Sequence, residues 1–269
     1  MVIDPIAFRV FGVEIRWYGI LIALSLIIGI AVAYFIAKYR GQKEEEIINF
    51  APFAVIFGII GARLLHVLAN WSYYSKDLSY IFAFRRGGLA IQGVILGGLL
   101  ALLVFCKIRK LDYWIWADIL TPALVLGQAI GRWGNFLNQE AFGRPTSLPW
   151  GIYIAPENRP YEYAHAEYFH PTFFYESIAN FALFILLLLM HRFYKNKPGR
   201  MPDGIILTTY LIIYSLYRTF IEYYRVDSSY IGPVKVVYII NAIYIIAGFI
   251  IANYLVTKFR EKKRLEEME

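Results

Sequence analysis

The sequence predicts an all-α integral membrane protein with about seven transmembrane helices, and its composition and its apolar runs are the two observations that predict it. Hydrophobic residues make up 59% of the 269 residues, charged residues make up 17%, and the mean hydropathy is +0.50. Soluble domains are about one quarter charged, so this composition is typical of a membrane protein. Apolar runs of about 20 residues, long enough to cross a hydrocarbon core about 30 Å thick, recur along the chain.

The predicted spans are joined by one connection much longer than the others. The seven spans occupy residues 17–37, 47–69, 88–106, 114–131, 173–191, 204–224 and 236–257. The segment before the first span lacks a basic stretch and a small-residue cleavage site, so we expect a retained helix rather than a signal peptide. The longest connection, residues 132–172, contains five prolines, which favour a small extracytoplasmic head with one short strand at 151–154 over another helix. We therefore expect one polytopic domain over residues 1–269.

The lysines and arginines indicate which way the chain crosses the membrane. Of the 27, fifteen lie in the segments after the first, third, fifth and seventh spans, ten lie in the longer segments on the opposite side, and Arg63 and Arg218 lie within spans. Because basic residues concentrate in cytoplasmic segments, we expect the N-terminus outside and the C-terminus in the cytoplasm. The net charge of +7 follows largely from this bias and needs no nucleic-acid partner to explain it.

Charged residues inside the spans are the first functional candidates. An arginine at the centre of a bilayer costs about 3 kcal/mol, so Arg63 and Arg218 should each face a partner or a cavity. The sixth span carries four polar residues spaced by four, four and three, which lie on one helix face: Tyr214, Arg218, Glu222 and Arg225. Two interpretations stay open. Either Arg218 and Glu222 neutralise each other, or the arginines of this face bind a lipid phosphate.

A second polar group follows the fourth span, in the stretch GRWGNFLNQEAFG at 131–143. Here Arg132 and Glu140 stand beside Asn135 and Asn138 at the predicted outer edge of the membrane. Planar guanidinium groups suit bidentate binding of phosphate. The residues by themselves therefore predict an outer-leaflet site for an anionic headgroup, with carboxylates available for proton transfer. We expect neither a metal nor a cofactor.

Two further features favour structural interpretations. The single cysteine, Cys106, lies on the predicted cytoplasmic side, far from the polar stretch, so we expect a buried structural thiol. The glycine pairs Gly58–Gly61 and Gly93–Gly97 are typical of close helix packing in lipid, where small residues let two backbones approach.

Five motifs along the chain give a specific resemblance. They are R-W-Y-G from Arg16 to Gly19, G-x-R at Gly61 and Arg63, the 131–143 stretch, H-P-x-x-x-Y-E at His170, Pro171, Tyr175 and Glu176, and the polar face of the sixth span. Together they resemble the prolipoprotein diacylglyceryl transferase family of bacterial membrane enzymes. The signature of that family, G-R-x-G-N-F-x-N-x-E-x-x-G, is matched at every fixed position: Gly131, Arg132, Gly134, Asn135, Phe136, Asn138, Glu140 and Gly143.

The resemblance implies a reaction and a location. The diacylglyceryl group of phosphatidylglycerol would pass to the thiol of the lipobox cysteine in a prolipoprotein signal peptide. A thioether would form and glycerol phosphate would leave, as the first step of bacterial lipoprotein maturation. The resemblance also implies a multi-pass protein of the bacterial cytoplasmic (inner) membrane with its active site toward the outer leaflet. Its partners would be phosphatidylglycerol, the signal peptide and the bilayer.

The resemblance and the residues together give one set of expected site residues. Catalytic roles are expected of Arg132, Glu140, Arg218 and Glu222, and lipid or phosphate binding of Arg132, Asn135, Asn138, Gly143, Arg218, Arg225, Tyr18, Tyr214 and Gln92. Arginines and amides in a water-poor site would stabilise the charge that develops on a departing phosphate. The attacking thiol must also become a thiolate, which requires a base or a local positive potential.

The base is an open question, because Gln92 stands where some relatives carry a histidine proposed for that role. Glutamine cannot accept the proton. Glu140 and Glu222 are the candidates that stay open, as does direct ionisation of the thiol in the field of the arginines. A lipid-headgroup-binding membrane transporter is the alternative function, although the chain lacks the half-helices at the bilayer midplane that many transporters show.

Overall fold

The computed structural model describes residues 4–83, 87–196 and 200–268, without the side chain of Ile91. Within those residues the chain forms eight α-helices: α1 (Trp17–Tyr39), α2 (Glu45–Ala69), α3 (Trp71–Tyr74), α4 (Ile91–Arg109), α5 (Tyr113–Leu137), α6 (Thr172–Asn196), α7 (Ile205–Tyr224) and α8 (Val236–Glu266). All but the four-residue α3 are long and apolar enough to cross a membrane. The prediction of an all-α protein with about seven spans is confirmed. Three basic residues used for the orientation, Arg85, Arg86 and Lys197, lie outside the described residues.

Short antiparallel strand pairs accompany the helices. They are β1 (Ile6–Val10) with β2 (Val13–Arg16), β3 (Ile152–Tyr153) with β4 (Tyr168–Phe169), and β5 (Tyr230–Ile231) with β6 (Val234–Lys235). The strand predicted within 151–154 is β3. Two of the pairs lead directly into a long helix, because β2 ends where α1 begins and β6 ends where α8 begins.

The α5 helix continues beyond its predicted end. The prediction stopped at residue 131, where the apolar run stops, but the helix runs on to Leu137. Arg132 and Asn135 are therefore helical residues rather than the start of a loop. Arg132 contacts Asn135 on the same helix and Glu176 on α6, so this polar end of α5 has partners for its charge. The polar ends of α6 and α8 extend in the same way, since lysine, arginine and glutamate are good helix formers.

The chain divides into two compact units, and the first comprises the described parts of Met1–Ala33 and Asp118–Glu269. Its core lies between α5, α6 and α7, where Val125, Leu187 and Ile206 are completely buried. The buried Asp118 carboxylate accepts hydrogen bonds from the backbone N–H groups of Gly204 and Leu207, at 2.8 Å and 2.9 Å. These bonds satisfy donors that the first turn of α7 would otherwise leave unpaired.

The second unit, Tyr34–Ala117, is built on the contact between α2 and α4. Glycines make the contact possible: a Cβ atom added to Gly61 would lie 2.3 Å from the carbonyl oxygen of Gly93, and one added to Gly97 would lie 2.2 Å from that of Phe57. The predicted close glycine packing is confirmed. Cys106 is buried in this unit, as expected.

Candidate active site

Four charged side chains meet near one end of α5, α6 and α7. The Oε1 atom of Glu176 lies 2.6 Å from Nη2 of Arg132 and 3.5 Å from Nε of Arg218. Arg218 also donates a hydrogen bond of 2.6 Å from Nη1 to Oε2 of Glu222. We call Arg132, Glu176, Arg218 and Glu222 the ionic cluster. It joins three helices through side chains that are far apart in the sequence.

Burial makes the pairing within the ionic cluster necessary. Glu176 and Glu222 are each 1% exposed, and Arg218 is 8% exposed. An isolated charge at such a position costs several kcal/mol, whereas two arginines and two carboxylates have no net charge. The four-residue spacing of Arg218 and Glu222 brings these two side chains together on one helix face, as the sequence predicts.

Tyrosines of α7 extend the polar surface toward the middle of the span. The rings of Tyr210 and Tyr214 lie 5.3 Å apart, and those of Tyr214 and Tyr217 lie 5.4 Å apart. The hydroxyl of Tyr214 lies in the field of Glu176, Arg132 and Arg218. The Tyr217 hydroxyl donates a 2.5 Å hydrogen bond to Oδ1 of Asn180. A hydrogen bond of this kind lowers the cost of placing the two polar side chains in the hydrocarbon region.

The residues after Arg132 form a chain of hydrogen bonds that ends at Glu140. Nη1 of Arg132 donates to Oδ1 of Asn135 at 3.3 Å, and Nδ2 of Asn135 donates to Oε1 of Glu140 at 2.8 Å. Nδ2 of Asn138 donates to the same Glu140 oxygen at 3.3 Å. Glu140 is exposed, in contrast to the buried carboxylates of the ionic cluster.

Backbone geometry holds Glu140 in this place. Gln139 and Ala141, on either side of it, have φ angles of +51° and +57°. Residues other than glycine adopt this left-handed conformation rarely, and it often marks functional sites. The Gln139 side chain fixes the turn by accepting hydrogen bonds from the backbone of Ala155 and from Asn158, at 2.8 Å and 3.1 Å.

Tyr18 lies beside this segment, at the beginning of α1. A Cβ atom added to Gly134 would lie 2.4 Å from Cδ2 of Tyr18, so only glycine permits this contact. An open cavity of about 670 Å³ adjoins the contact, and its lining includes Arg16, Tyr18 and Asn138.

The segment that follows α5 is bonded to the end of α7, where Gly143 forms a bridge with Arg225. The backbone N–H of Gly143 donates to the carbonyl of His170 at 2.8 Å, and that of Arg144 donates to the carbonyl of Tyr224 at 2.9 Å. A Cβ atom on Gly143 would lie 2.7 Å from Cβ of His170. The guanidinium of Arg225 forms two hydrogen bonds of 2.9 Å with the carboxylate of Asp227. This arginine, predicted to bind phosphate, is thus held by a carboxylate of its own.

The sequence interpretation did not assign a role to two residues that the structure brings to the site. Glu176 lies in the H-P-x-x-x-Y-E motif, and a carboxylate in an apolar span is a signal that could have identified it.

Lys235 donates hydrogen bonds from Nζ to the carbonyls of Glu222 and Arg225, at 2.6 Å and 3.1 Å, and so caps the end of α7. Burial lowers the pKa of Lys235, while the nearby Glu222 carboxylate opposes that change. No pattern in the sequence indicates this contact.

Gln92 belongs to the second unit, where it is the second residue of α4. It is partly buried.

The helices and the ionic cluster define a class of protein: a polytopic membrane protein with paired arginines and carboxylates buried near one end of three spans. The sequence model of the family described as Prolipoprotein diacylglyceryl transferase matches residues 5–254. The chain belongs to this family, and the resemblance seen in its motifs is confirmed.

Three relatives described as phosphatidylglycerol–prolipoprotein diacylglyceryl transferase illustrate the similarity. The one from Acaryochloris marina (strain MBIC 11017) is 46% identical over 252 residues, which cover 93% of this chain and 90% of the relative. The one from Clostridioides difficile (strain 630) is 44% identical over 255 residues, with coverages of 95% and 96%. The one from Finegoldia magna (strain ATCC 29328 / DSM 20472 / WAL 2508) is 42% identical over 248 residues, with coverages of 92% and 94%.

Proposed function

We propose that this chain is an enzyme that transfers the diacylglyceryl group of phosphatidylglycerol to the cysteine thiol of a prolipoprotein lipobox. Membership of the family and the names of the relatives support the activity. The observation that carries the site assignment is that Arg132 and Arg218, from two helices, converge on one oxygen of Glu176.

Arg132 and Arg218 bind the phosphodiester of the lipid. The thiolate attacks the glycerol carbon that bears the phosphate, a carbon–sulfur bond forms, and the carbon–oxygen bond breaks with its electron pair going to glycerol phosphate. Negative charge therefore grows on the phosphate oxygens as the bond breaks. Two guanidinium groups already fixed at the site stabilise that charge without reorganising. Glu176 and Glu222 fix them, since each arginine is within 2.6 Å of one of these carboxylates.

Glu140 is the leading candidate for the group that takes the thiol proton. Its carboxylate is exposed and is oriented by the amides of Asn135 and Asn138. Glu222 is the weaker candidate because it is buried and paired with Arg218. A base must approach the proton that it removes, and the more accessible carboxylate satisfies this condition better.

The location follows from the distribution of charge. The basic segments after the first, third, fifth and seventh spans favour an N-terminus outside, which places Glu140 and the ionic cluster toward the outer leaflet of the bacterial cytoplasmic membrane. The connection between α5 and α6 then lies outside the cytoplasm.

The test combines purified protein, vesicles that contain phosphatidylglycerol and a lipobox peptide, with the products read by mass spectrometry. We expect a peptide carrying one diacylglyceryl group on its cysteine and an equal amount of glycerol phosphate. A peptide with serine in place of cysteine and vesicles of phosphatidylethanolamine alone are the matched controls. Folded protein that gives no adduct would overturn the proposal. Movement of lipid between leaflets without an adduct would instead favour the transporter.

A further inference from the structure

The β1–β2 hairpin has two faces of opposite character. Cross-strand partners share a face, and the pairs Phe8–Ile15 and Val10–Val13 make one face entirely apolar. On the other face Arg9 pairs with Glu14, and Nη2 of Arg9 lies 2.9 Å from Oε1 of Glu14.

The apolar face of this hairpin lies open. Among the described residues, Phe8, Val10 and Val13 are 52%, 42% and 61% exposed. The turn presents a further apolar side chain, because Phe11 and Gly12 have φ angles of +47° and +78° and the Phe11 ring is fully exposed. An isolated two-stranded hairpin is marginally stable in water, so this one requires something to cover its apolar face.

The hairpin is continuous with a membrane span. Strand β2 ends at Arg16, and α1 begins at the next residue, Trp17. A hydrogen bond of 3.1 Å from the backbone N–H of Trp17 to the carbonyl of Pro5 ties the base of the hairpin to the first residue of the helix. Trp17 itself is exposed, and exposed tryptophans at the ends of spans commonly lie at the headgroup level.

We propose that the apolar face and the turn of the β1–β2 hairpin lie in the lipid surface around the beginning of α1, with Phe11 among the acyl chains and the Arg9–Glu14 pair toward water. The occupant of this face is therefore lipid. Amphipathic elements with an apolar face and a charged face bind membranes in this way, and the adjacent span keeps the hairpin at the interface.

This contact would also fix one wall of the cavity beside Tyr18. Glu14, Ile15 and Arg16 of β2 line that cavity together with Asn138, which binds Glu140. A hairpin held in the lipid surface would keep the cavity facing the leaflet from which a lipid substrate must come. The lipid contact itself requires only that α1 spans the membrane, so it does not depend on the transfer reaction.

Spin labels can test which face of the hairpin meets lipid. In the full chain with Cys106→Ala, single cysteines are introduced as Val10→Cys and Val13→Cys on the apolar face, and as Arg9→Cys and Glu14→Cys on the charged face. The labelled proteins are reconstituted in vesicles of phosphatidylethanolamine and phosphatidylglycerol. Collision with oxygen, which concentrates in lipid, is compared with collision with a water-soluble nickel complex.

We expect oxygen collisions to dominate at positions 10 and 13 and nickel collisions to dominate at positions 9 and 14. A third label at Phe11→Cys should be the most deeply inserted of the five. Equal nickel accessibility on both faces would overturn the proposal. Two positions on each face keep the comparison valid if one variant fails to fold, and the readout does not use enzyme activity.

Discussion

Arg63 and Arg218 are both arginines buried within spans, but the structure surrounds them with different partners. Arg63 donates four hydrogen bonds, of 2.5 Å to 2.9 Å, to the backbone carbonyls of Tyr80, Ile81, Gly87 and Gly88. Arg218 lies instead beside the carboxylates of Glu176 and Glu222. The first arginine is bound by backbone carbonyls, and the second is bound by charged side chains.

From this difference we predict a structural role for Arg63 and a functional role for Arg218. The four carbonyls accept hydrogen bonds from all three nitrogens of the Arg63 guanidinium group. The carboxylates beside Arg218 compensate its charge, and we expect its remaining donors to be available to a phosphate. From the sequence, both residues satisfy the same expectation of a partner inside the membrane. Their roles differ because their partners differ.

The largest expected effect is that of Arg132→Ala. We expect transfer to fall by about 100-fold or more, because removal of one preorganised donor to a developing charge commonly costs that much. Arg132→Lys should recover only part of the activity, since lysine lacks the bidentate geometry. The measurement is initial rate with vesicle-bound lipid, with thermal unfolding as the check on folding. Near-normal turnover by the alanine variant would rule out the phosphate role.

The next effect concerns coupling within the ionic cluster. We expect Arg218→Ala and Glu222→Ala each to lose most activity, and the double variant to be little worse than either, because removal of one partner leaves a buried charge unpaired. Glu176→Gln should behave like Glu222→Ala, whereas Glu176→Asp should retain more activity. Losses that add independently in this double-mutant cycle would show that the residues do not act as a unit.

A smaller and pH-dependent effect is expected at Glu140. Glu140→Gln keeps the shape of the side chain and removes its charge, so the rate should fall most at low pH, where the free thiol dominates. Gln92→Ala should lower activity moderately without moving the pH profile, since glutamine does not titrate. The measurement is kcat/KM against pH with a peptide of known thiol pKa.

An unchanged rate and profile for Glu140→Gln would exclude Glu140 as the base. The thiolate would then form in the field of the arginines or in water before binding.

The smallest effect on catalysis is expected at Arg63. Arg63→Lys supplies fewer donors in a different geometry, so buried carbonyls lose partners and the free energy of unfolding should fall by about 1–3 kcal/mol. Turnover per folded molecule should stay close to that of the parent. A variant that kept its thermal stability and lost transfer activity would contradict the structural role predicted for Arg63.

Much of the fold could be predicted because hydrophobicity and helix length are local properties. The seven spans, the close packing at the two glycine pairs and the strand at β3 all follow from short stretches of sequence, whereas the pairing of α2 with α4 does not. The predicted end of α5 is six residues too early because a helix ends where its backbone hydrogen bonds end. The end of an apolar run does not mark that residue. Orientation, the extracytoplasmic head and the single-domain organisation stay predictions.

The site could be predicted in part. Signature residues such as Arg132 and Glu140 are neighbours in the sequence, and a helix period joins Arg218 to Glu222. Glu176 could not be placed between the two arginines in this way, because that contact joins three helices whose relative rotation depends on the packing of the whole unit.

The number of membrane spans, the family and the buried arginines that require partners can all be derived from the amino-acid sequence. The helical period already pairs Arg218 with Glu222, but the other partners depend on tertiary structure: backbone carbonyls for Arg63, and Glu176 for both Arg132 and Arg218. The two kinds of information differ in the distance along the chain over which they act. Hydropathy and helical period act over a few turns of one chain segment, whereas a buried charge is neutralised by whichever group packing brings within about 4 Å of it, at any distance along the sequence.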